Sequence, residues 1–273
     1  MSFKSLLVHV RADGTSTQRV KAAVALARKL DALLIGLGAE AIPPALIDPY
    51  GMATADWLPM ICEQQAKNLQ DARIAFEVQA EGVRSAWLSS KEPPTIAMAH
   101  LARQADLLIV GGPPVKADEY VAVNPGELVV TAGRPVLMVP STGGVLSPGR
   151  VLIAWKDSRE TRRAVSDALP FLVQAESIVI LALCGRGRLE ETRRQADDVA
   201  GWLRRHGAAS ALCQAAEAPA DLVDAEILAK AEALRAGLIV AGGYGHSRAA
   251  EWVLGGVTRT LLGHPHQFVF LSH

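Results

Sequence analysis

The sequence predicts an α/β protein made of two tandem doubly wound domains, each with a five-stranded, mostly parallel sheet flanked by helices. Three observations carry this expectation. Short apolar runs alternate with helix-length amphipathic segments throughout the 273 residues, the pattern left by strands that are buried on both faces and joined by right-handed crossovers. The order of these runs then repeats once along the chain. Between the copies lies a stretch rich in Pro, Gly and Ser, residues 140–149, with the composition of a linker.

Taken in order, the run at 6–11 is answered by 151–156, and the run at 32–37 by 177–182, at the same offset of 145. The run at 106–112 is answered by 236–243 at an offset near 130, and 134–140 by the closing run 267–271. Amphipathic helical periodicity marks 19–30, 160–173 and 190–205. The expected domains are residues 1–140 and 150–273. The drop in offset means that the first copy holds extra residues, placed by its long Pro-containing stretch in an insertion over 42–60. The closing run, 267–271, reads as an edge or interface strand.

Composition narrows the function classes. Half of the chain is apolar, enough for a large core. Lys plus Arg equals Asp plus Glu at 28 each, and neither half holds the positive excess expected of a nucleic-acid or anionic-membrane binder. The apolar runs are strand-sized and residues 1–4 show no charged-then-apolar leader, so the expectation is a cytoplasmic protein with no membrane span. Cys62, Cys184 and Cys213 are odd in number and lack a C-x-x-C pair, which argues against a disulfide framework or a zinc site and places them as small core hydrophobes.

The chemistry-bearing segment follows the apolar run at 238–241. There Gly242, Gly245 and Gly255 stand in G-x2-G-x9-G spacing. Glycines admit positive φ and a close ligand approach, and a helix opening at Gly255 would present free amides to an anion. The blander reading is a tight strand-to-helix connection. In an open sheet the ligand sits at the carboxyl ends of the strands where their order reverses, which adds the end of the 151–156 run, Ala154, Trp155, Lys156 and Asp157. Arg159, Arg162 and Arg163 open the next helix, as a solvated face or a phosphate rim. His246, His264, His266 and His273 form no metal-ligand pattern, and Ser247 beside His246 lacks a nucleophile elbow. No catalytic residue and no metal ligand is assigned.

These residues carry a resemblance to the tandem universal stress proteins, over both halves and most clearly from 151 to 273. Nucleotide-binding members of that family follow G-x2-G-x9-G with Ser or Thr, where this chain has Gly256, and end their first strand in Asp, where it has Lys156. In the first half Gly112 is kept, Pro113, Pro114 and Val115 replace the glycine turn, and Gly126 is the next glycine, so that half is read as keeping the fold and losing the nucleotide. The resemblance implies a Rossmann-like fold and a regulatory or protective protein that binds an adenine nucleotide, ATP with or without Mg²⁺, without robust turnover. It implies Ala154, Trp155, Lys156 and Asp157 on the nucleoside side. Gly242, Gly245, Gly255, Gly256, Val257 and Thr258 would cradle the phosphates, with Ala241 and His246 beside them. It also implies pairing through the closing strand, between the halves or across a homodimer. Two rivals stay open: a slow Mg²⁺-dependent ATPase, and an interaction module with no nucleotide, working by dimerisation or small apolar ligands with the insertion as its surface.

Overall fold

The computed structural model describes residues 2–43, 58–113, 118–208, 210–244, 256–263 and 267–273. The first half runs β1 (Ser5–Val10), α1 (Thr17–Leu30), β2 (Leu33–Ala39), α2 (Leu58–Gln79), β3 (Ser85–Ser90), α3 (Pro94–Leu101), β4 (Leu107–Gly111), α4 (Pro125–Thr131) and β5 (Val136–Val139). The second runs β6 (Arg150–Trp155), α5 (Arg159–Asp167), α6 (Leu169–Leu172), β7 (Ser177–Cys184), α7 (Leu189–Arg205), β8 (Ala211–Glu217), α8 (Val223–Ala233), β9 (Leu238–Gly242), α9 (Gly256–Gly263) and β10 (Phe268–Ser272). The two five-stranded sheets expected from the sequence are fused into one sheet of ten, in the order β3-β2-β1-β4-β5-β10-β9-β6-β7-β8. Neighbours are parallel except at the centre, where β5 and β10 pair antiparallel with Met138 opposite Val269 and Val136 opposite Leu271. The closing strand thus pairs across the two halves within one chain.

Helices α1, α2, α5 and α7 cover one face and α3, α4, α8 and α9 the other, giving two apolar layers that both run through the two halves. Helix α6 packs in the same layer as α5 and α7 through Phe171 and Leu172. The central strands are buried on both sides, which is why Leu6, Leu7 and Val8 read as an unbroken apolar run. The halves are also joined by aromatic packing. Phe3 from the first half lies 5.3 Å from Phe171, which meets Phe270 edge-on at 6.0 Å.

Three departures from the sequence expectations have simple causes. The periodic segment 160–173 is broken into α5 and α6 at Ala168, because Pro170 has no amide with which to continue the ladder. The extra length of the first half lies partly in α2, which has 22 residues against 17 in α7; residues 44–57 of the expected insertion lie outside the described residues. Cys62, Cys184 and Cys213 are free thiols, half-buried rather than in the core. Among the described residues no helix is long and apolar enough to cross a membrane.

Deleting the Phe270 ring, buried between the halves, is expected to cost about 3–5 kcal/mol of unfolding free energy, read from urea denaturation of Phe270→Ala. A loss under about 1 kcal/mol would mean that the shared aromatic packing does not hold the halves together.

Candidate functional site

In the second half β6 and β9 are adjacent, with Ala154 opposite Ala241, and the chain leaves them for opposite faces of the sheet. Their carboxyl ends therefore bound the crevice where an open sheet takes its ligand. Ala154 and Ala241 are buried in the layer beneath α8 and α9, whereas Trp155 is buried in the opposite layer, with α5 and α7. Lys156 is the first residue beyond the strand. Its ammonium is held below the ordinary lysine pKa, first by partial burial and then by Arg188, with Glu160 pulling the other way. Asp157 accepts from Arg162 Nε at 2.9 Å. Ser158 caps α5 by accepting from the Thr161 amide.

On the β9 side, packing requires the first glycines. A Cβ on Gly242 would stand 2.6 Å from the Thr161 amide nitrogen and 2.7 Å from its hydroxyl, so the first turn of α5 sits directly on the strand end. A Cβ on Gly243 would stand 2.5 Å from Val129 Cγ1 of α4. Tyr244 follows in the left-handed region at φ 60°, and its amide donates to Thr258 Oγ1 at 3.4 Å, tying the β9 end to α9. Its phenol lies against Gly126 of the first half so closely that no side chain fits there; burial pushes the hydroxyl up to about 12. Gly256 opens α9 in free space, Val257 is half-buried and Thr258 is buried. Gly245, His246 and Gly255 lie outside the described residues. The terminal residue closes the same corner: His273 Nδ1 lies 3.0 Å from the Gly243 carbonyl, to which it donates, and Arg159 Nη2 lies 3.4 Å from Nε2.

The first half builds the same corner with different side chains. Strand register makes Gly111, and not Gly112, the counterpart of Gly242, since β4 pairs Leu107 with Leu6 as β9 pairs Leu238 with Val151. Where Thr161 touches Gly242, Arg19 fills the space: a Cβ on Gly111 would stand 2.8 Å from Arg19 Nη1. Arg19 Nε donates to the His9 carbonyl at 2.6 Å, and Nη2 lies 3.5 Å from His9 Nδ1. Burial, then the field of Arg11, brings the Arg19 pKa down to about 10. His9 takes the place of Ala154 and is 1% exposed. Burial, then Arg19, pushes its pKa well down, although the nearby Ala39 carbonyl favours the charged ring and Arg11 opposes it; Nε2 reaches no partner in good geometry. At the start of α4, the Asn124 side chain accepts from the amides of Gly126 and Glu127, at 3.1 and 3.3 Å, so these donors are already engaged. A cavity of about 320 Å³ remains at the ends of β1 and β2, edged by Arg11, Asp13, Glu40 and Asn68. The Asn68 amide donates to the Glu40 carboxylate, and burial raises the Glu40 pKa despite that bond.

Sequence reasoning placed the β6 and β9 ends together but missed Tyr244, His273 and the Arg19–His9 pair. The last left a trace, since aligning the capping residues Ser16 and Ser158 sets Arg19 against Thr161. Among the described residues no group of three or more His, Cys, Asp or Glu side chains could hold a metal ion.

Two measurements check this geometry. Gly242→Ala is expected to destabilise the fold by about 1–3 kcal/mol, while Gly256→Ser stays within about 0.5 kcal/mol of the parent, both read by chemical denaturation; equal effects would contradict the packing at Gly242. The folded His9 pKa lies below the unfolded value of 6.5. Above that pH both states are neutral at this ring, and below it the unfolded chain takes up a proton that the folded chain refuses. The melting temperature should therefore fall as pH is lowered from about 7 to about 5, more steeply in the parent than in His9→Gln. Equal slopes would show that His9 is not buried as the neutral ring.

No protein-family model matches the chain, and no curated protein matches it. Solved structures match its fold over nearly the whole length. A universal stress protein from Archaeoglobus fulgidus DSM 4304 superposes with a TM-score of 0.69 at 14% identity, covering 98% of this chain and 95% of that one. A candidate universal stress protein from Pseudomonas aeruginosa UCBPP-PA14 gives 0.60 at 18% identity, covering 99% and 93%. A functionally unknown protein from Pseudomonas aeruginosa PAO1 gives 0.58 at 16% identity, covering 99% and 92%. With its sheet order repeated about the β5–β10 pair and this likeness end to end, the chain has the fold of a tandem universal stress protein.

Proposed function

We propose that the protein is a regulatory or protective binding protein of the universal stress type that takes an adenine nucleotide at the carboxyl edge of its second half and does not turn it over. The observation that carries this reading is the cationic lip of the β6–β9 crevice. Lys156 stands at its mouth, partly desolvated and within the field of Arg188, so an entering polyphosphate would lower the repulsion between two like charges. Arg159, ion-paired to Glu160 at 2.8 Å, lies beside His273 at the same corner. Lys156 and Asp157 lie on the nucleoside side of the crevice, with Ala154 and Trp155 beneath as its floor. Ala241, Gly242, Gly256, Val257 and Thr258 frame the phosphate side, and Gly245, His246 and Gly255 complete it by sequence. ATP is the ligand of choice, with Mg²⁺ carried on its phosphates. The two halves pair within the chain, and homodimers are a further form of the same fold. The protein acts in the cytoplasm.

A second reading, an interaction module that holds no nucleotide, draws support from the Thr258 hydroxyl, which already accepts the Tyr244 amide. Titration calorimetry with MgATP separates the two. Binding that weakens at least tenfold in Lys156→Glu and is lost in Gly245→Val, with no phosphate released over hours, is the expected result. No heat at millimolar ATP overturns the nucleotide reading in favour of the module, and steady phosphate release makes the protein a slow ATPase.

A further inference from the structure

The sheet ends in two open edges, β3 and β8, and they are guarded differently. β3 is bracketed by Arg84 and Lys91, charges of the kind that hold sheet edges apart. β8 holds no Lys, Arg or Pro, and from Ser210 to Ala218 the only charge is Glu217. That carboxylate turns back to accept from the Gly187 amide at 2.8 Å. The ladder with β7 shows which backbone groups of β8 are free. The Ile178 amide donates to the Ser210 carbonyl and the Ala218 amide to the Cys184 carbonyl, both at 2.9 Å, so in this parallel pair the even-numbered residues of β8 turn their amides and carbonyls toward β7. Ala211, Cys213, Ala215 and Glu217 turn theirs outward, and among the described residues no other part of the chain bonds to them. The side chains of Ala211, Cys213 and Ala215 pack in the layer with α7. Leu212 and Ala216 stand on the other face, belong to neither apolar layer, and Leu212 is 57% exposed.

We propose that β8 is the homodimer edge of this protein, pairing antiparallel with β8 of a second copy about a two-fold axis at Gln214. The free groups select that occupant. An antiparallel ladder sets outward-facing residues opposite one another, and a two-fold axis demands a strand that matches itself when reversed. Centred on Gln214, Ala211 falls opposite Glu217 and Cys213 opposite Ala215, so every outward residue of both strands is paired, with about eight backbone hydrogen bonds; centred on Cys213 the ladder keeps about six. No like charges meet, because Glu217 faces Ala211, and Leu212 is covered by Ala216 of the second copy. The same kind of pairing already joins the two halves at β5 and β10, so the dimer doubles one continuous sheet. The proposal names the surface of the homodimer put forward above and rests on nothing in the nucleotide crevice, which lies at the ends of β6 and β9.

Sedimentation equilibrium of the full-length protein, without nucleotide, is expected to show a reversible dimer. Gln214→Lys and Gln214→Glu each set two like charges at the closest cross-strand pair and should each weaken the dimer at least tenfold, while an equal mixture of the two restores it. Gln214→Cys should form an intermolecular disulfide on mild oxidation. Leu212→Cys should not, because Leu212 faces Ala216 and not its own copy, nor should the parent with its 3 native cysteines. Ala215→Pro removes an outward amide and leaves the ladder to β7 intact, and it replaces the charge variants should they fail to fold. A parent that stays monomeric at high micromolar concentration overturns the proposal, as does a dimer that survives both Gln214→Lys and Ala215→Pro. A disulfide formed as readily by Leu212→Cys as by Gln214→Cys also overturns it. A dimer with the expected variant pattern upholds it even where MgATP does not bind, a result that strikes the nucleotide reading alone.

Discussion

The antiparallel pairing of β5 with β10 is the constraint from which the rest of this structure follows. Every other neighbouring pair in the sheet is parallel and belongs to one half. Strands β5 and β10 are short and apolar, and each would otherwise present an open edge, which invites association with other chains. By pairing with each other they remove both edges and continue the two apolar layers across the middle of the molecule. They also set α4 beside α9, and so bring Tyr244 of one half against Gly126 of the other. The remaining edges, β3 and β8, are half-exposed at the two far ends of the sheet.

Because the halves share one backbone plan, their differences isolate what side chains do at a fixed place. At the strand reversal of the second half stand Ala154, Gly242 and Thr161, all small, and the cations sit at the rim. At the matching place in the first half His9 and Arg19 fill the space from within, the guanidinium donating to the His9 carbonyl and lying beside its ring. The helix amides that an anion would seek there are taken by Asn124. Both crevices have a cation just beyond the first strand, Arg11 and Lys156, and they differ in that the first holds another, Arg19, inside its wall.

The legible part of the fold was the part buried on both faces. Strands β1, β2, β4 and β5 and their counterparts show as apolar runs because no face of them meets water, while β3 and β8 alternate weakly and carry Ser, Gln and Glu, so no run marks them. The break at Ala168 was visible in Pro170, but a proline in the first turn of a new helix and one that ends a helix look alike in sequence. For the site, the glycine spacing pointed to the end of β9 while leaving the reason for each glycine open. Gly242 and Gly243 answer to Thr161 and Val129, residues far away in the chain, and no spacing rule contains that information. Tyr244 was silent for the same cause, since its role exists only once β5 and β10 have paired.

The corner that holds the candidate site is also where the halves are bolted together. Arg163 of α5 donates to the Gly133 carbonyl at the end of α4, at 3.1 Å. Ser272 donates to Asp167 at 2.9 Å, His273 to Gly243, and the Tyr244 amide to Thr258. Each is modest alone, about 0.5–1.5 kcal/mol net for the neutral pairs and about 1.5–3 kcal/mol where Arg163 or Asp167 takes part. Only the Arg163 bond crosses between the halves, but the other three lie on adjoining residues, Gly243 beside Tyr244 and Ser272 beside His273, so that β9, α9 and β10 are tied at one corner. A shift of the β9 end at Tyr244 by even a fraction of an ångström would press on α4 through the Tyr244 ring, which has no spare room against Gly126. Under the proposed function, that contact is the route by which occupancy of the second half would reach the first, and the Tyr244 ring is its narrowest point.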